Sequence, residues 1–467
     1  MEQAPRRQRK NGRGERRKPP PSPTWCAGTE LTKPAASPPP RAPGWTEPPP
    51  PATGDGSWLI LDRFVHLSRR RRGVVEGDAT ASSLTEDCAG RPVRASLRIA
   101  GPPAVSRLYL HWAWRPQIRG FAEPAAIAAH RNSILFRMSV PFEDSTCWID
   151  ISSSPLDYLV YSSSSPPSLA VLPPCFDGGE TNPLLDKLFQ PYRCEQQRIM
   201  FDEDMGILCH GDNGEFTVAD LTYRYRQEVD LCLLHHPPPA GIPLKWSINR
   251  LQIPPQMKID LYSWRTDVVV PIDRSLCWVD YYQGILLIDV LADSQSSPIQ
   301  QQLHYVRLPS QALKSRRLYI DPGAPDPFRR VCITDAGIIK LVCILTKYPP
   351  PDDEFTIITW TLVDINQGSW RKDVDTISCL PRVRPSFPVV SLVDPDVICF
   401  LLKEKDRNVS WMVEVNMRKK VLLSSALYIN EEEEEGPPSE KDRRNNFFGH
   451  SFIPTKFSSY LAEDAIT

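Results

Sequence analysis

The stretch CWVDYYQGILLIDV, Cys277–Val290, is the part of the sequence that decides the fold assignment. Two short apolar runs flank a turn that holds Asp280 and Gly284. Aspartate suits such a turn because its side chain can bond nearby backbone amides, and glycine suits it because glycine reaches positive φ without steric cost. We therefore interpret this stretch as a β-hairpin in which Asp280 and Gly284 are turn residues and not a catalytic patch.

Four other stretches of the chain follow the same plan of strand, turn and strand. They are RIMFDEDMGILCHG around Asp204 and Gly206, RVCITDAGIIKLVCI around Asp335 and Gly337, VVSLVDPDVICFLLK with Asp394, Pro395 and Asp396, and a weaker copy, AIAAHRNSILFRMSV, with Arg131, Asn132 and Ser133. The copies begin near Ile127, Ile199, Val269, Val331 and Val390, which are roughly 60 to 70 residues apart. Repeated units of about four strands predict an all-β, propeller-like fold of about five or six blades. A pair of β-sandwiches is the alternative, but it would not explain the recurring hairpin.

Further strand patterns follow the hairpins. They are FTVADLTYRY (Phe216–Tyr225), LHYVRLP (Leu303–Pro309), FTIITWTLVD (Phe355–Asp364) and SWMVEVNMRKKVLLSSALYI (Ser410–Ile429). FTIITWTL and SWMVEVNM alternate apolar and polar residues, as half-buried strands do. The one helical candidate, Asn182–Ile199, is interrupted by Pro191, so we predict a chain that is mainly β.

The composition changes along the chain divide it into four segments. Residues 1–56 hold fourteen prolines, and the first twenty residues carry eight Lys/Arg against two Glu. This composition predicts a disordered basic tail because it buries too little apolar surface to offset chain entropy. We assign residues 57–430 to the propeller-like domain and residues 431–446 to an acidic, charged loop. The segment 447–467 regains strand character, and we expect it to close the ring beside an N-terminal strand.

The totals favour a soluble protein of the cytoplasm or nucleus. The 467-residue chain has a formal net charge of −1, so its surface as a whole does not attract nucleic acid or anionic membranes. We find no apolar segment typical of a secretory signal or a membrane span. The twelve cysteines form no C-x-x-C pair, and several lie in apolar runs, which favours reduced, buried thiols. We expect a monomer.

Several of these stretches resemble one known protein family. WVDYYQGILLIDVL, CITDAGIIKLVCI, FTIITWTLVDINQGSWRKD, VVSLVDPDVICFLL and WMVEVNMRKKVL are similar in order and spacing to the plant family that carries the domain of unknown function 1618, which is expanded in grasses. The match covers about residues 277–420, and the upstream WLILDRFVH resembles the usual beginning of the family. The resemblance implies a plant protein with a β-propeller similar to F-box-associated proteins. It implies no activity and supplies no catalytic residues, and no F-box helix is visible in residues 1–100.

No residue pattern in the chain indicates catalysis, a cofactor or a metal. His235 and His236 precede three prolines and fit an exposed turn. Cys209 and His210 are neighbours on a predicted strand, so their side chains should point to opposite faces. The aspartates of the repeats, Asp204, Asp280, Asp335 and Asp394, could bind a cation if they converged, but we interpret them as turn caps. The tryptophans in strand patterns, which we interpret as packing residues, are Trp278, Trp360, Trp370 and Trp411.

The sequence therefore favours a non-catalytic scaffold that binds unknown protein partners through loops on one face of a rigid ring. The first alternative is a nuclear or nucleic-acid-associated factor that uses the basic tail, above all residues 1–20. The second alternative is a propeller-fold hydrolase, because a fold does not decide the activity it carries.

Overall fold

The computed structural model shows an all-β chain built as a six-bladed propeller, which confirms the predicted fold class. The structure describes residues 58–68, 78–112, 124–140, 156–176 except 165, 198, 200–211, 214–224, 227–238, 241, 243–291, 303–314, 326–346, 355–374, 383–403, 410–429 and 451–457. The predicted tail, the helical candidate Asn182–Ile199 apart from its residue 198, and the acidic loop lie outside these residues. None of the described helices is long and apolar enough to cross a membrane.

The first five strands and the last strand form one sheet, which we call blade six. These strands are β1 (Leu59–Asp62), β2 (His66–Leu67), β3 (Thr85–Glu86), β4 (Pro92–Arg98), β5 (Val105–Trp112) and, at the other end of the chain, β26 (Phe452–Thr455). Their order is β26-β1-β5-β4-β3, and β2 also pairs with β5.

The other five blades each contain four consecutive strands in antiparallel order. Blade one contains β6 (Ala125–His130), β7 (Ser133–Ser139), β8 (Leu156–Ser162) and β9 (Ser168–Val171). Blade two contains β10 (Met205–His210), β11 (Glu215–Tyr223), β12 (Glu228–His236) and β13 (Ser247–Gln252). Blade three contains β14 (Val268–Ile272), β15 (Ser275–Asp280), β16 (Gly284–Asp289) and β17 (Leu303–Arg307). Blade four contains β18 (Arg329–Ile333), β19 (Ile339–Thr346), β20 (Phe355–Asp364) and β21 (Ser369–Val374). Blade five contains β22 (Ser386–Val390), β23 (Val397–Lys403), β24 (Ser410–Asn416) and β25 (Val421–Ile429). Among the described residues, short 3-10 helices occur at Asp202–Asp204, Pro255–Met257 and Ala312–Lys314.

The innermost strand of each blade contacts the innermost strands of the two neighbouring blades. These strands are β6, β10, β14, β18, β22 and β26, and they surround the propeller axis. We call the end of the axis where these strands begin the entry end, and the end where they finish the exit end. Each of the hydrophobic cores between blades two and three and between blades three and four is formed by residues of both blades. The neighbouring blades therefore cover the two faces of the inner strand of blade three. Trp278, for example, is fully buried in a core formed by blades two and three.

The two ends of the described chain meet in blade six. β26 pairs antiparallel with β1, with Leu61 opposite Ile453 and Asp62 opposite Phe452. The Phe452 ring lies edge-on to the rings of Phe387 and Tyr428, and it is almost completely buried. The C-terminal strand thus supplies the innermost strand of a blade whose other strands come from residues 59–112.

The repeated hairpin predicted from the sequence is real in four of its five copies, but the copies do not occupy equivalent positions in their blades. The stretch Cys277–Val290 forms the second and third strands of blade three. The copies near Ile127, Val331 and Val390 form the first and second strands of their blades. The phase was misread because a turn between two apolar strands looks alike in the sequence, whichever two strands of a blade it joins.

The copy at Asp204 and Gly206 was wrongly assigned to a hairpin turn. Asp204 ends a 3-10 helix, and Gly206 lies inside the innermost strand β10. A Cβ atom on Gly206 would lie 2.5 Å from Cγ1 of Val269, so this glycine permits close packing of two inner strands. Gly284 begins β16, and a Cβ atom there would lie 2.4 Å from the ring of Tyr305. Of the three repeat glycines, only Gly337 has the positive φ, of 74°, that the sequence analysis expected.

The predicted exposed turn at His235 and His236 is also wrong. Both residues finish strand β12 and are partly buried. The His236 ring stacks on Phe216, with ring centroids 4.6 Å apart. The three prolines that follow end the strand, but they do not carry the histidines into the turn.

Candidate functional site along the propeller axis

A cavity of about 380 Å³ runs along the propeller axis from the entry end to the exit end. The inner strands of blades one, three, four and six line most of its wall. Charged side chains of both signs stand at its two ends. The charges at the two ends are engaged in different ways.

At the entry end, the Asp202 carboxylate is held between two guanidinium groups. Its Oδ2 atom lies 3.3 Å from Nη2 of Arg63, and its Oδ1 atom accepts a hydrogen bond from Nε of Arg137. Arg63 belongs to blade six, Arg137 to blade one, and Asp202 to the segment that enters blade two. The carboxylate therefore joins three blades, and its own charge is compensated by the two arginines.

A second arginine contact at the entry end ties blade four to the closing strand. Nη2 of Arg330 donates to the carbonyl of Phe452 at 2.8 Å, and Nη1 donates to the Ser451 hydroxyl at 3.4 Å. The two blades concerned, four and six, are not neighbours in the ring. The Arg330 side chain therefore passes the inner strand of blade five, on the side that faces the axis, to reach blade six.

Burial raises the pKa of two carboxyl groups near the entry end of blade two. Burial raises the pKa of Asp204 to about 8, and the nearby Asp220 adds to this rise, while a hydrogen bond to Thr266 opposes it. Burial likewise raises the pKa of Asp220 to about 7, against the opposing effects of Thr222 and Arg198. Near pH 7 Asp204 is therefore mainly neutral, whereas Asp220 is divided between its neutral and ionised forms.

The entry loop of blade three displays a fully exposed aromatic side chain on an ordered frame. The Tyr262 side chain is 99% exposed. The Asp260 carboxylate accepts hydrogen bonds from the Tyr262 backbone at 3.2 Å and from the Ser263 hydroxyl at 2.6 Å. Nε2 of Gln283 donates to the Asp260 carbonyl at 3.1 Å. The loop is thus bonded to the turn of the stretch Cys277–Val290.

At the exit end, an ion pair links the same two blades that Arg330 joins. Nζ of Lys456, just beyond β26, lies 2.9 Å from Oδ2 of Asp335 in the turn of blade four. The Thr455 hydroxyl donates to the Arg131 carbonyl at 3.0 Å, which fixes the closing strand to blade one. These two contacts attach the last described residues to blade four and to blade one.

Two further charged residues at the exit end lie in a strained backbone conformation. Arg131 and Asp273 both have φ of 48°, and each directly follows the innermost strand of its blade. Both are exposed, and both line the axial cavity. In the part of the chain that the structure describes, neither side chain has a hydrogen bond or an ion pair. Blade two, which stands between them, has a glycine in the equivalent place, Gly211 with φ of 65°.

The aspartates that the sequence singled out have separate roles. Asp280 caps its own turn by accepting from the Tyr282 amide at 2.8 Å, and it accepts from the Arg265 amide at 2.9 Å. Asp394 accepts from the Asp396 amide at 2.9 Å. Among the described residues, no group of three or more His, Cys, Asp or Glu side chains is arranged to hold a metal.

Cys209 and His210 point to opposite faces of β10, as their spacing indicated. The Cys209 thiol contacts the His130 carbonyl at 3.0 Å, and the Cys209 amide donates to Nδ1 of His130 at 2.8 Å. His210 lies within 3.0 Å of the Thr217 hydroxyl, which also contacts His235. Burial raises the pKa of Cys209 to about 11 and lowers that of His130 to about 4, so both groups are held neutral.

The other described cysteines and the tryptophans are structural. All eight described cysteines are free, and all but Cys88 are buried. Burial raises the pKa of Cys277, Cys343 and Cys399, which opposes formation of the reactive thiolate. Nε1 of Trp278 donates to the Asp204 carbonyl at 2.8 Å, and Nε1 of Trp370 donates to the Arg307 carbonyl at 2.9 Å. Both bonds join neighbouring blades.

The fold places the chain in the class of β-propeller proteins. Residues 278–399 match the model of a family described as "Protein of unknown function (DUF1618)", which agrees with the resemblance seen in the sequence. No curated protein matches the chain.

Among solved structures, three chains are reported as similar to this one. The Aleuria aurantia lectin is 11% identical, with 82% of this chain and 97% of that chain covered, at a TM-score of 0.29. Saccharomyces cerevisiae Sqt1 is 11% identical, with 67% and 64% covered, at a TM-score of 0.29. The hemagglutinin-neuraminidase of parainfluenza virus 5 is 5% identical, with 80% and 94% covered, at a TM-score of 0.28. At these values the similarity carries no argument about function.

Proposed function

We propose that the propeller is a non-catalytic scaffold that binds a protein partner at its entry end. The observation that carries this proposal is the display of Tyr262 on a bonded loop. A fully exposed tyrosine contributes nothing to the core, yet Asp260 and Gln283 hold its backbone in one conformation. Tyrosine supplies large contact area at low entropic cost, and it is among the residues that dominate binding energy at interfaces.

The surroundings of Tyr262 support the same role. Phe201, on the entry segment of the neighbouring blade two, is 56% exposed. The segment that holds Phe201 is attached to blade three, because Trp278 of blade three donates a hydrogen bond to the Asp204 carbonyl. The Ser263 hydroxyl lowers the pKa of Asp260, so the carboxylate that shapes the loop stays ionised at neutral pH. A partner would meet an aromatic surface whose shape is set before binding, which lowers the cost of association.

The side chains that could supply chemistry favour a scaffold over a hydrolase. Asp280 and Asp394 are engaged with backbone amides, and Asp202 is held by two arginines. Cys209 is held as a neutral thiol. The described residues that remain open to a partner are thus aromatic and charged groups at the loops.

The test is affinity purification of the full chain, with mass spectrometry, from cells that express the protein naturally. A partner recovered with wild type would then be purified and its dissociation constant measured with Tyr262→Ala and Tyr262→Phe. We expect Tyr262→Ala to weaken binding by about 30-fold or more, as for an interface residue worth about 2 kcal/mol. Tyr262→Phe should retain most of the affinity because it keeps the ring.

Gln283→Ala provides a second variant that leaves the tyrosine in place. It removes the bond from Gln283 to the Asp260 carbonyl, so we expect a smaller loss of affinity through a less ordered loop. Unaltered affinity in Tyr262→Ala, with unaltered melting temperature, would contradict the entry end as the binding surface.

A further inference from the structure

One face of the outer part of blade six gathers basic and hydrogen-bonding side chains. Residues that lie directly opposite each other in an antiparallel pair project from the same face of the sheet. The opposite pairs of β4 and β5 on this face, which we call the basic face, are Arg94 with His111, Ser96 with Tyr109 and Arg98 with Arg107. The basic face lies toward blade five, because Nη2 of Arg107 donates to the Tyr428 carbonyl of β25 at 2.9 Å.

Three buried nitrogen atoms of the basic face have no hydrogen-bond partner. They are Nε of Arg94, Nε of Arg107 and Nδ1 of His111. In the part of the chain that the structure describes, Arg94 forms no hydrogen bond and no ion pair at all. A buried donor without an acceptor costs free energy, so such groups in native proteins are normally satisfied by protein, water or a bound ion. The concentration of three such atoms on one face of two strands therefore indicates a site for an acceptor.

The neutral imidazole of His111 supplies one of the donors of the basic face. Burial lowers the pKa of His111, Asp78 opposes this effect, and the positive charge of Arg94 adds to it. Nε2 of His111 lies 2.8 Å from the Ser96 hydroxyl, which can donate to it. With Nε2 accepting from Ser96, the single proton of the imidazole is on Nδ1. The Nδ1–H group and the guanidinium groups are then all donors.

The carboxylates near the basic face leave its arginines without an ion pair in the described part of the chain. Asp62, whose charge acts on one of the arginines, already accepts from the Tyr428 hydroxyl and from a backbone amide, both at 3.1 Å. Asp78 accepts from the amide and the hydroxyl of Thr80, at 2.9 and 2.7 Å. Glu86 ends β3 and is exposed. The arginines of the basic face are therefore available to an anion.

We propose that the basic face of blade six binds a small ligand that carries two or more phosphate groups. Phosphate only accepts hydrogen bonds, it offers several oxygen atoms, and it matches the planar fork of a guanidinium group. More than one phosphate group fits the spacing, because Arg94 and Arg98 are four residues apart, roughly 13 Å along an extended strand. The site does not rest on the proposed function, since Tyr262 belongs to the entry loop of blade three.

The test is calorimetric titration of the full chain with tripolyphosphate, in a phosphate-free buffer of low salt. We expect one site, which Arg94→Gln weakens by about tenfold or more because charge-assisted hydrogen bonds are lost. Without tripolyphosphate this variant should melt at the same or a higher temperature than wild type, since Arg94 has no described bond to lose. The matched control is Arg250→Gln, which removes the same charge from an arginine that is bonded to Asp230 of blade two. The control should keep the affinity of wild type for tripolyphosphate.

Inorganic phosphate and citrate separate this site from unspecific attraction of anions. Inorganic phosphate should bind more weakly than tripolyphosphate because it reaches only one end of the basic face, and citrate should bind more weakly because its acceptors are carboxylates. Tripolyphosphate should raise the melting temperature of wild type, and its affinity should fall as salt rises. The proposal is overturned if tripolyphosphate does not bind, if Arg94→Gln binds it as tightly as wild type or the control does, or if inorganic phosphate or citrate binds equally tightly.

Discussion

Lys456, in the last described segment, forms an ion pair of 2.9 Å with Asp335 of blade four, although blade five stands between their blades. At the other end of the axis, Arg330 of blade four donates to the Phe452 carbonyl at 2.8 Å. Together with the pairing of β26 and β1 and the bond from the Thr455 hydroxyl to the Arg131 carbonyl, these contacts make the C-terminal strand the element that joins blades one, four and six.

Deleting residues 447–467 should therefore lower the melting temperature sharply. The deletion removes the innermost strand of blade six and exposes the edge of β1. Truncation of a buried phenylalanine such as Phe452 alone costs about 3–5 kcal/mol, and the deletion removes more than that. The matched control deletes only residues 458–467 and leaves β26 in place. Equal melting temperatures for the long deletion and the control would contradict a role for β26 in closure.

Gly206→Ala should destabilise the propeller by about 1–3 kcal/mol. The added methyl group would lie 2.5 Å from Val269 on the neighbouring inner strand and 3.2 Å from Leu276, both in the interior. Gly101→Ala is the matched control because no atom lies within 4 Å of its added Cβ. Urea unfolding of the two variants measures the difference, and a Gly206 variant as stable as the control would show that the inner strands can move apart.

Asp204→Asn should flatten the dependence of stability on pH. The folded-state pKa of Asp204, about 8, lies above its ordinary value of 3.8. Between these values the folded protein binds a proton that the unfolded chain has lost, so stability falls as pH rises, by at most about 1.4 kcal/mol per pH unit for one group. Asparagine cannot ionise and keeps a similar shape.

Urea unfolding from pH 5 to pH 9 tests this prediction, with the exposed Asp394→Asn as control. The stability of the Asp204 variant relative to wild type should increase as the pH rises to about 8. The stability of the variant should still depend on pH to a smaller extent, because Asp220 has a pKa of about 7. A slope equal to that of wild type would mean that Asp204 is already ionised in the folded protein.

Removing residues 1–56 tests the alternative of a nucleic-acid-associated factor. If the tail binds nucleic acid, the full chain should bind duplex DNA or RNA with an affinity that falls steeply with salt, and the truncated chain should not. The scaffold account predicts instead that a protein partner is retained by both forms after nuclease treatment. Electrophoretic mobility shifts at two salt concentrations distinguish the outcomes.

Strand positions could be read from the sequence because alternation of side chains is a local property. FTIITWTLVD and SWMVEVNM lie on β20 and β24. The phase of the blades could not be read, since polar turn residues separate apolar strands at each hairpin, whichever two strands the hairpin joins. Gly206 looked like a turn residue, but contact with Val269 of another blade explains it.

The candidate sites could not be predicted from the sequence either, because they also depend on contacts between residues that are distant in the chain. Nothing in IDLYSW separates Tyr262 from a core tyrosine, and the loop that carries Tyr262 is bonded to Gln283, which is 21 positions away in the sequence. Arg94 and His111 are 17 positions apart, and they become neighbours on one face only once β4 and β5 pair. Local patterns predict elements, whereas surfaces are formed by residues that are distant in the chain.

Partner binding at the entry end is tested by site-specific photo-crosslinking at position 262 of the full chain, in cells that express the protein naturally. Tyr262 is replaced by a photoreactive phenylalanine analogue, and Val363, 62% exposed on β20, carries the analogue in the control. The account predicts one protein that crosslinks from position 262, does not crosslink from position 363, and is unaffected by nuclease. Equal crosslinking from both positions, or crosslinks only to nucleic acid, would contradict a partner-binding surface at the entry end.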